Sequence, residues 1–513
     1  MRNPVFAPRL ITSLMVIATV TFHATPLLAQ AEDKGAKKTD KGSVQEIGSV
    51  KIEERSFKTK SGKIVEYELG TLFTPENRSI PDSRVIGVGF ARFRAAKKDA
   101  TAPPMFRLPG GSLLSRMKTE SQLQQAYGLI AEYNRFSDVV VVDQRGYSER
   151  GDVLTAPFRR PSPPRDQPLT SELRAKAFKA FAEDTVAQFK KKEIDLAGYT
   201  VKECAHDVAD IAKALGYKKI TLEGTSYGSQ WSFAIMRLHP NIVARALLSG
   251  IEPLNCGYDM PSYVFAAIQR MWRVVDADPR FKPYLPEGGM AEAARTVIER
   301  LEREPIALEI QVSDEEKPRR VGTLGPDSFP WFSPTQILEL YHNELGRWQR
   351  EAMARAIEAP RRVRLIGPLI DSSLSTTPGR KHRLWTDPAT RYLSRRNFAS
   401  YMATADIWPS PDVGDEFRTP VLCDIPVVFT QGTWDFKTPV ENTFEIVPFF
   451  TNSRIVIGER GGHGILGSIR DQHPDTWSEL IEFLKTGDLE DIPVRVRLKA
   501  SQQFEPPNFE VKR

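Results

Sequence analysis

Apolar positions along this chain follow two periods, and the places where one gives way to the other outline the fold. Ile64-Val-Glu-Tyr-Glu-Leu69, Val85-Ile-Gly-Val-Gly-Phe90 and Met105-Phe-Arg-Leu108 read as strands. Val139-Val-Val-Val142 is apolar without interruption and is bounded by Ser-Asp and Asp-Gln-Arg-Gly, which fits a strand covered on both faces, as in a parallel sheet. A Pro-punctuated, helix-rich stretch follows over 157–191. Val201, Cys204, Val208, Ile211 and Leu215 then recur at helical spacing up to Gly216. A strand from Ile220, a helix to about Leu238 and a strand at Ala244-Arg-Ala-Leu-Leu248 come next. Strand and helix in alternation predict a doubly wound, mostly parallel α/β sheet.

The pattern changes between about 251 and 421. Segments 263–275, 290–304, 334–359 and 391–407 read as helices between Pro- and Gly-rich turns, with no strand alternation and no internal repeat, so an inserted helical domain is expected. The sheet resumes at Ile425-Pro-Val-Val-Phe429 and Arg454-Ile-Val-Ile457, and a helix over 477–484 closes it. The organisation expected is a sheet core over 47–250, a helical cap over 251–421, the second part of the core over 422–500 and a tail over 501–513.

The N-terminus alters this picture. Arg2 and Arg9 precede an apolar run over 10–20, and Ala29-Gln30-Ala31 supplies small residues for cleavage, the pattern of a secretory signal peptide over 1–31. The apolar run falls short of the roughly 18 residues a membrane span requires. The Lys-, Asp- and Gly-rich stretch 32–46 reads as a disordered linker. An exported protein with no stable membrane insertion after cleavage is the expectation. The formal net charge of +6 is spread among mixed signs, with no basic stripe interleaved with aromatics, which argues against a nucleic-acid partner. Three cysteines leave at least one unpaired, and Cys256 and Cys423 are expected at opposite ends of the sheet, too far apart to bridge.

Candidate chemistry begins at Gly224-Thr-Ser-Tyr-Gly228, where a strand runs directly into a helix. Glycines at both ends let strand and helix approach closely, and the serine between them is forced onto a sharp, strained turn with its hydroxyl over the carboxyl edge of the sheet. That arrangement makes Ser226 the candidate nucleophile. A nucleophilic serine needs a base and the base an orienting carboxylate, following in the order Ser, Asp, His. Of seven histidines, only His463, in Arg460-Gly-Gly-His-Gly464, follows a late strand on a glycine-flanked loop. Asp435, in Gly432-Thr-Trp-Asp-Phe-Lys-Thr-Pro439, sits on the loop after the preceding strand. The Tyr227 backbone N–H would supply half of an oxyanion hole, and Gly110 or Gly111 in Leu108-Pro-Gly-Gly-Ser112 the other half. No Cys/His cluster or phosphate-cradling loop points to a metal or cofactor.

Taken together, Asp143-Gln-Arg-Gly146 after a strand, the Gly224–Gly228 turn, Gly432-Thr-Trp-Asp-Phe-Lys-Thr-Pro439 and Gly462-His-Gly464 resemble α/β-hydrolases of the prolyl iminopeptidase and tripeptidyl aminopeptidase type. The helix over 203–215 and Ile194-Asp-Leu-Ala-Gly-Tyr199 before it are also similar, so the resemblance spans roughly 50–484. It implies an α/β-hydrolase fold with a helical cap and a secreted serine peptidase acting at free N-termini of peptide substrates without a cofactor. Action at a free amine implies a carboxylate where the cap meets the carboxyl edge of the sheet, with Glu252, two residues beyond Gly250, the leading candidate and Asp259 and Glu344 behind it. The family's Gly-Gly-Pro-Gly loop is replaced here by Pro109-Gly-Gly-Ser112. Asp143 and Arg145 are expected to brace the loops beneath the site. The same triad would serve a carboxylesterase, and a catalytically silent binding module on the same scaffold is the rival from another class.

Overall fold

The computed structural model describes residues 46–95, 102–111, 120–147, 150, 151, 153–159, 165–310, 318–357, 362–396 and 398–511. The expected signal peptide and all but the last residue of the expected linker lie outside them. Ten strands build one sheet: β1 (Val50–Lys58), β2 (Ile64–Pro75), β3 (Val85–Phe93), β4 (Met105–Leu108), β5 (Val139–Val142), β6 (Ile220–Thr225), β7 (Val243–Ser249), β8 (Val427–Gly432), β9 (Ser453–Glu459) and β10 (Arg495–Arg497). Their order is β1-β2-β3-β5-β4-β6-β7-β8-β9-β10. The β1/β2, β2/β3 and β3/β5 pairs are antiparallel, and every pair from β5 to β10 is parallel.

The four valines of β5 show why its apolar run is unbroken. Val140 and Val142 join a core with Phe106, Leu222, Leu248 and Phe429 and the helix residues Val208 and Trp231. Val139 and Val141 face the other way, into a second core with Met105, Leu247 and Val456 and the helix residues Ile130, Ile469 and Phe483. With both faces covered, no position on the strand can be polar without an unmet hydrogen bond. A mostly parallel sheet with helices on both faces, interrupted between β7 and β8 by an insertion, is the α/β-hydrolase fold.

The insertion has its own apolar core, in which helices Pro261–Asp276, Gly289–Arg303 and Pro334–Tyr341 meet through Ile268, Met271, Val297, Leu301 and Ile337. It is not purely helical. Ile306–Ile310 pairs antiparallel with Arg319–Leu324, and Arg362–Arg364 pairs with Thr155–Arg159 from the stretch expected to be helix-rich. Five residues such as Ile306-Ala-Leu-Glu-Ile310 alternate too briefly to stand out between long helical patterns. Pro157 is tolerated because its two-stranded ribbon has an edge that needs no donor. Among the described residues, no helix is long and apolar enough to cross a membrane.

The C-terminal tail crosses between the parts. Ser501 N donates to Arg460 O at 3.0 Å, the Phe504 ring lies 5.8 Å from that of Trp434, and Tyr284 of the insertion donates to Phe509 O at 3.2 Å.

Candidate active site

Register brings the site together. Thr225 of β6 pairs with Ser249 of β7, and Ser249 with Thr430 of β8, so Ser226, Gly250 and Gln431 leave the sheet at one level. Gly432 of β8 pairs with Gly458 of β9, and the two chains stay bonded beyond the sheet, with Thr433 N on Gly458 O at 3.0 Å and Trp434 N on Gly461 O at 2.9 Å. A Cβ on Gly432 would fall 2.2 Å from Gly461 O, so only glycine permits this approach.

Ser226 occupies the turn between β6 and the helix Tyr227–Leu238 at φ 58° and ψ −129°, a strained conformation for a residue with a side chain. Its N–H donates to Ser249 O at 2.9 Å. The flanking glycines are each filled by backbone: a Cβ on Gly224 would meet Gly228 O at 2.3 Å, and one on Gly228 would meet Leu108 O at 2.2 Å. The loop after β4 therefore rests on the turn. Gly110 comes closest, since a Cβ there would stand 3.0 Å from that of Ser226, whereas Gly111 has φ 75° and open space around it. Ser112, the last residue of the expected oxyanion loop, lies outside the described residues.

His463 and Asp435 meet. Nδ1 of His463 is 2.9 Å from Asp435 Oδ2, and Asp435 is 1% exposed. Burial pushes this carboxyl up, but hydrogen bonds from His463 and Thr438 outweigh it and hold it below its ordinary range. Thr438 Oγ1 donates to Oδ2 at 2.6 Å, Gln431 Nε2 to Oδ2 at 3.2 Å, and the Lys437 and Thr438 N–H groups to Oδ1 at 2.9 and 3.0 Å. The other described histidines lie elsewhere: His206 and His239 bond to each other, His342 to Tyr284 O and His473 to Arg497 O, and His382 is exposed on the helix Pro378–Thr386. A cavity of about 140 Å³ opens beside His463, lined in part by Thr225, Ser249 and the ion-paired Arg107 and Glu223.

Glu252 reaches the candidate nucleophile. Ser226 Oγ donates to Glu252 Oε1 at 3.4 Å, and among the described residues this is the partner of the hydroxyl, which makes no hydrogen bond to His463. Ser229 sets the position of Glu252. Its Oγ donates to Ser226 O at 2.7 Å and accepts from Glu252 N at 2.9 Å, while Ile251 N donates to Gln431 Oε1 at 3.0 Å. Two further carboxyls share the neighbourhood. Burial and the charges of Asp259, Asp371 and Asp435 drive Glu252 well above its ordinary range. Burial raises Asp259 to about 6 and, aided by Asp259, Asp371 to about 7.

One sequence-level expectation changes here, and one further carboxyl joins the site. Glu344 is exposed on the turn after the helix Pro334–Tyr341 and is not brought to the site. Asp371 is, although only its isolation in Ile366-Gly-Pro-Leu-Ile-Asp-Ser-Ser-Leu374 marks it in the sequence. Ser229 and Gln431 carry no such mark. Arg145 is fully buried, bonding Asp207 at 2.6 and 2.7 Å and the carbonyls of Glu76 and Gly198, a bracing arrangement beneath the site. All three cysteines are free. Among the described residues no group of His, Cys, Asp and Glu is arranged to hold a metal ion.

No family model matches the chain, and no curated protein matches it either. Solved structures with a similar fold include an esterase from Exiguobacterium antarcticum, with 12% identity over 80% of this chain and 98% of that one and a TM-score of 0.34. The 2-hydroxy-6-oxo-6-phenylhexa-2,4-dienoate hydrolase from Rhodococcus sp. strain RHA1 has 13% identity over 85% and 99%, with a TM-score of 0.32. An alpha/beta hydrolase from a Medee basin deep-sea metagenome library has 10% identity over 79% and 96%, with a TM-score of 0.34.

Proposed function

We propose that this protein is a serine hydrolase that removes residues or short peptides from the free N-termini of peptides, through an acyl-enzyme on Ser226. In this reading Ser226 Oγ attacks the scissile carbonyl, and His463 takes the hydroxyl proton and returns it to the leaving amine. Asp435 fixes the imidazole tautomer by holding Nδ1–H and stabilises the imidazolium. The Tyr227 N–H and one from Gly110 or Gly111 receive the oxyanion. Water then repeats the sequence on the acyl-enzyme.

The observation that carries the choice of substrate is the gathering of Glu252, Asp259 and Asp371 beside the nucleophile. Half-buried carboxyls this close repel one another and hold protons that isolated carboxyls would lose. Arg380 already lies beside Asp259, but among the described residues no Lys or Arg pairs with Glu252 or Asp371, and an α-ammonium group with three N–H donors at the acyl end of a peptide fits that unmet charge. The exported location expected from residues 1–31 belongs to the same proposal.

The test is a substrate panel. Aminoacyl and tripeptidyl p-nitroanilides with free amines are expected to be cleaved on the order of 100-fold faster than their N-acetylated forms, the loss that follows when a buried charge is left unpaired. Equal rates for free and acetylated peptides would overturn the aminopeptidase reading, and turnover confined to p-nitrophenyl esters would replace it with a carboxylesterase.

A further inference from the structure

We propose that Glu252 also latches the nucleophile, so that a substrate's ammonium group switches Ser226 on by competing for the carboxyl. The inference rests on the serine hydrolase reading above and extends its amine site to control of the serine.

The geometry points both ways from one carboxyl. Ser226 Oγ donates to Glu252 Oε1 at 3.4 Å. His463 is already set for catalysis on its other side, with Nδ1 on Asp435 Oδ2 and 3.1 Å from Thr438 Oγ1, yet it makes no hydrogen bond to the serine. The resting arrangement is thus an assembled acid–base pair beside a nucleophile turned towards a third group. Glu252 does not drift into this position. Its backbone N–H is held by Ser229 Oγ, the same hydroxyl that bonds the Ser226 carbonyl, so nucleophile and latch hang from one side chain.

Glu252 lacks donors. The charges that act on it are those of Asp259, Asp371 and Asp435, all acids, and among the described residues no Lys or Arg forms an ion pair with it. The Ser226 hydroxyl is a donor it uses. An ammonium group is a better one, because a charge-assisted hydrogen bond is roughly twice as strong as a neutral one. When the ammonium N–H groups take the carboxyl oxygens, the hydroxyl loses its acceptor and can turn to another staggered well, a fast motion for a side chain. His463 Nε2 is then the acceptor available to it. On attack the O–H proton passes to Nε2 as Oγ forms its bond to the carbonyl carbon. Selection for a free amine then appears in the rate of serine chemistry as well as in binding.

The full-length chain and a neutral fluorophosphonate, which labels the serine without needing an amine, provide the test. Methylammonium should accelerate labelling of the unmodified protein, saturably, by several-fold up to about tenfold, the size of one neutral hydrogen bond. Glu252→Ala should label faster than the unmodified protein without amine by a similar factor, and should ignore methylammonium. Glu252→Gln keeps an acceptor oxygen for the serine, so it should stay slow. Labelling indifferent to methylammonium overturns the latch whether or not the variants fold, and so does a folded Glu252→Ala that labels no faster. The two proposals fail separately. Equal turnover of free and acetylated peptides with amine-accelerated labelling removes the aminopeptidase reading alone, whereas an amine requirement without acceleration removes the latch alone.

Discussion

His463 Nδ1 lies 2.9 Å from Asp435 Oδ2, and the two residues hang from adjacent parallel strands whose backbones remain bonded for several residues past the sheet. That shared exit fixes the carboxylate against the imidazole before any side-chain contact is made. Replacing either residue should therefore change chemistry more than fold.

Ser226→Ala is expected to reduce turnover by on the order of 10⁴- to 10⁶-fold, as loss of a triad member does, and to abolish fluorophosphonate labelling. Circular dichroism should be unchanged, since the hydroxyl makes one long hydrogen bond and replacing it leaves no cavity of consequence. Residual activity above a few per cent would remove Ser226 as nucleophile.

His463→Ala should match that loss, whereas His473→Ala should leave turnover within about two-fold, because a surface substitution away from the site rarely exceeds ~0.5 kcal/mol. His473 bonds Arg497 O at 2.8 Å, at the start of the last helix. Kinetics of the two purified variants on one substrate decide the matter, and the reverse result would place the base ten residues downstream.

The carboxyl group of the site makes binding pH-dependent with a definite sign. Asp371 is raised to about 7 and Asp259 to about 6, so both take up protons as pH falls from 7.5 to 5.5 and lose the charge that attracts a cation. KM for free-amine substrates should rise over that interval, while KM for a neutral ester should not. Asp371→Asn should weaken amine binding yet raise Tm at pH 7.5, because the folded state bears the cost of ionising this buried acid and the unfolded chain does not. A variant with lower Tm at that pH would contradict the burial argument.

A second pH effect is expected far from the site. His206 Nδ1 and His239 Nε2 are 2.9 Å apart, and burial, the Arg78 charge beside His206 and the His206 charge beside His239 lower both below the ordinary histidine range. Asp207 and Asp210 face the pair and soften this without reversing it. With folded values lowered, the unfolded chain binds more protons once pH nears about 6.5, so stability is present above that value and falls as pH drops below it. The raised Asp259 and Asp371 slope the other way, so the histidine contribution is read as a difference: between pH 7 and 5 the Tm of the unmodified protein should fall relative to that of His239→Gln.

The tail supplies the last prediction. Phe504 is 8% exposed and packs on Trp434, the residue before Asp435. Phe504→Ala should cost about 3 kcal/mol of stability, as buried Phe→Ala changes do, and should lower kcat several-fold by loosening the acid loop. Phe504→Leu should recover most of both. Intact kcat in the alanine variant, measured well below its Tm, would confine the tail to a packing role.

Much of the molecule was legible from residue order alone, and the reason is local. The unbroken valines of β5, the helical spacing from Val201 and the Gly-x-Ser-x-Gly turn each announce a backbone conformation that neighbouring residues impose, so strands, elbow and the candidate Ser226, Asp435 and His463 could be named without coordinates. The short ribbon at Ile306–Ile310 was missed because five residues alternate too briefly to compete with the helices around them. What residue order does not contain is distance between segments far apart in the chain. Asp371 joins Glu252 across more than a hundred residues, Glu344 does not, and no periodicity separates the two. Ser229 reads as an ordinary helix residue until its hydroxyl is seen bridging Ser226 and Glu252. Only tertiary packing brought Glu252 rather than His463 to the serine hydroxyl, because that depends on where three loops end in space, and each loop end is set by strand register and by contacts that no single segment encodes.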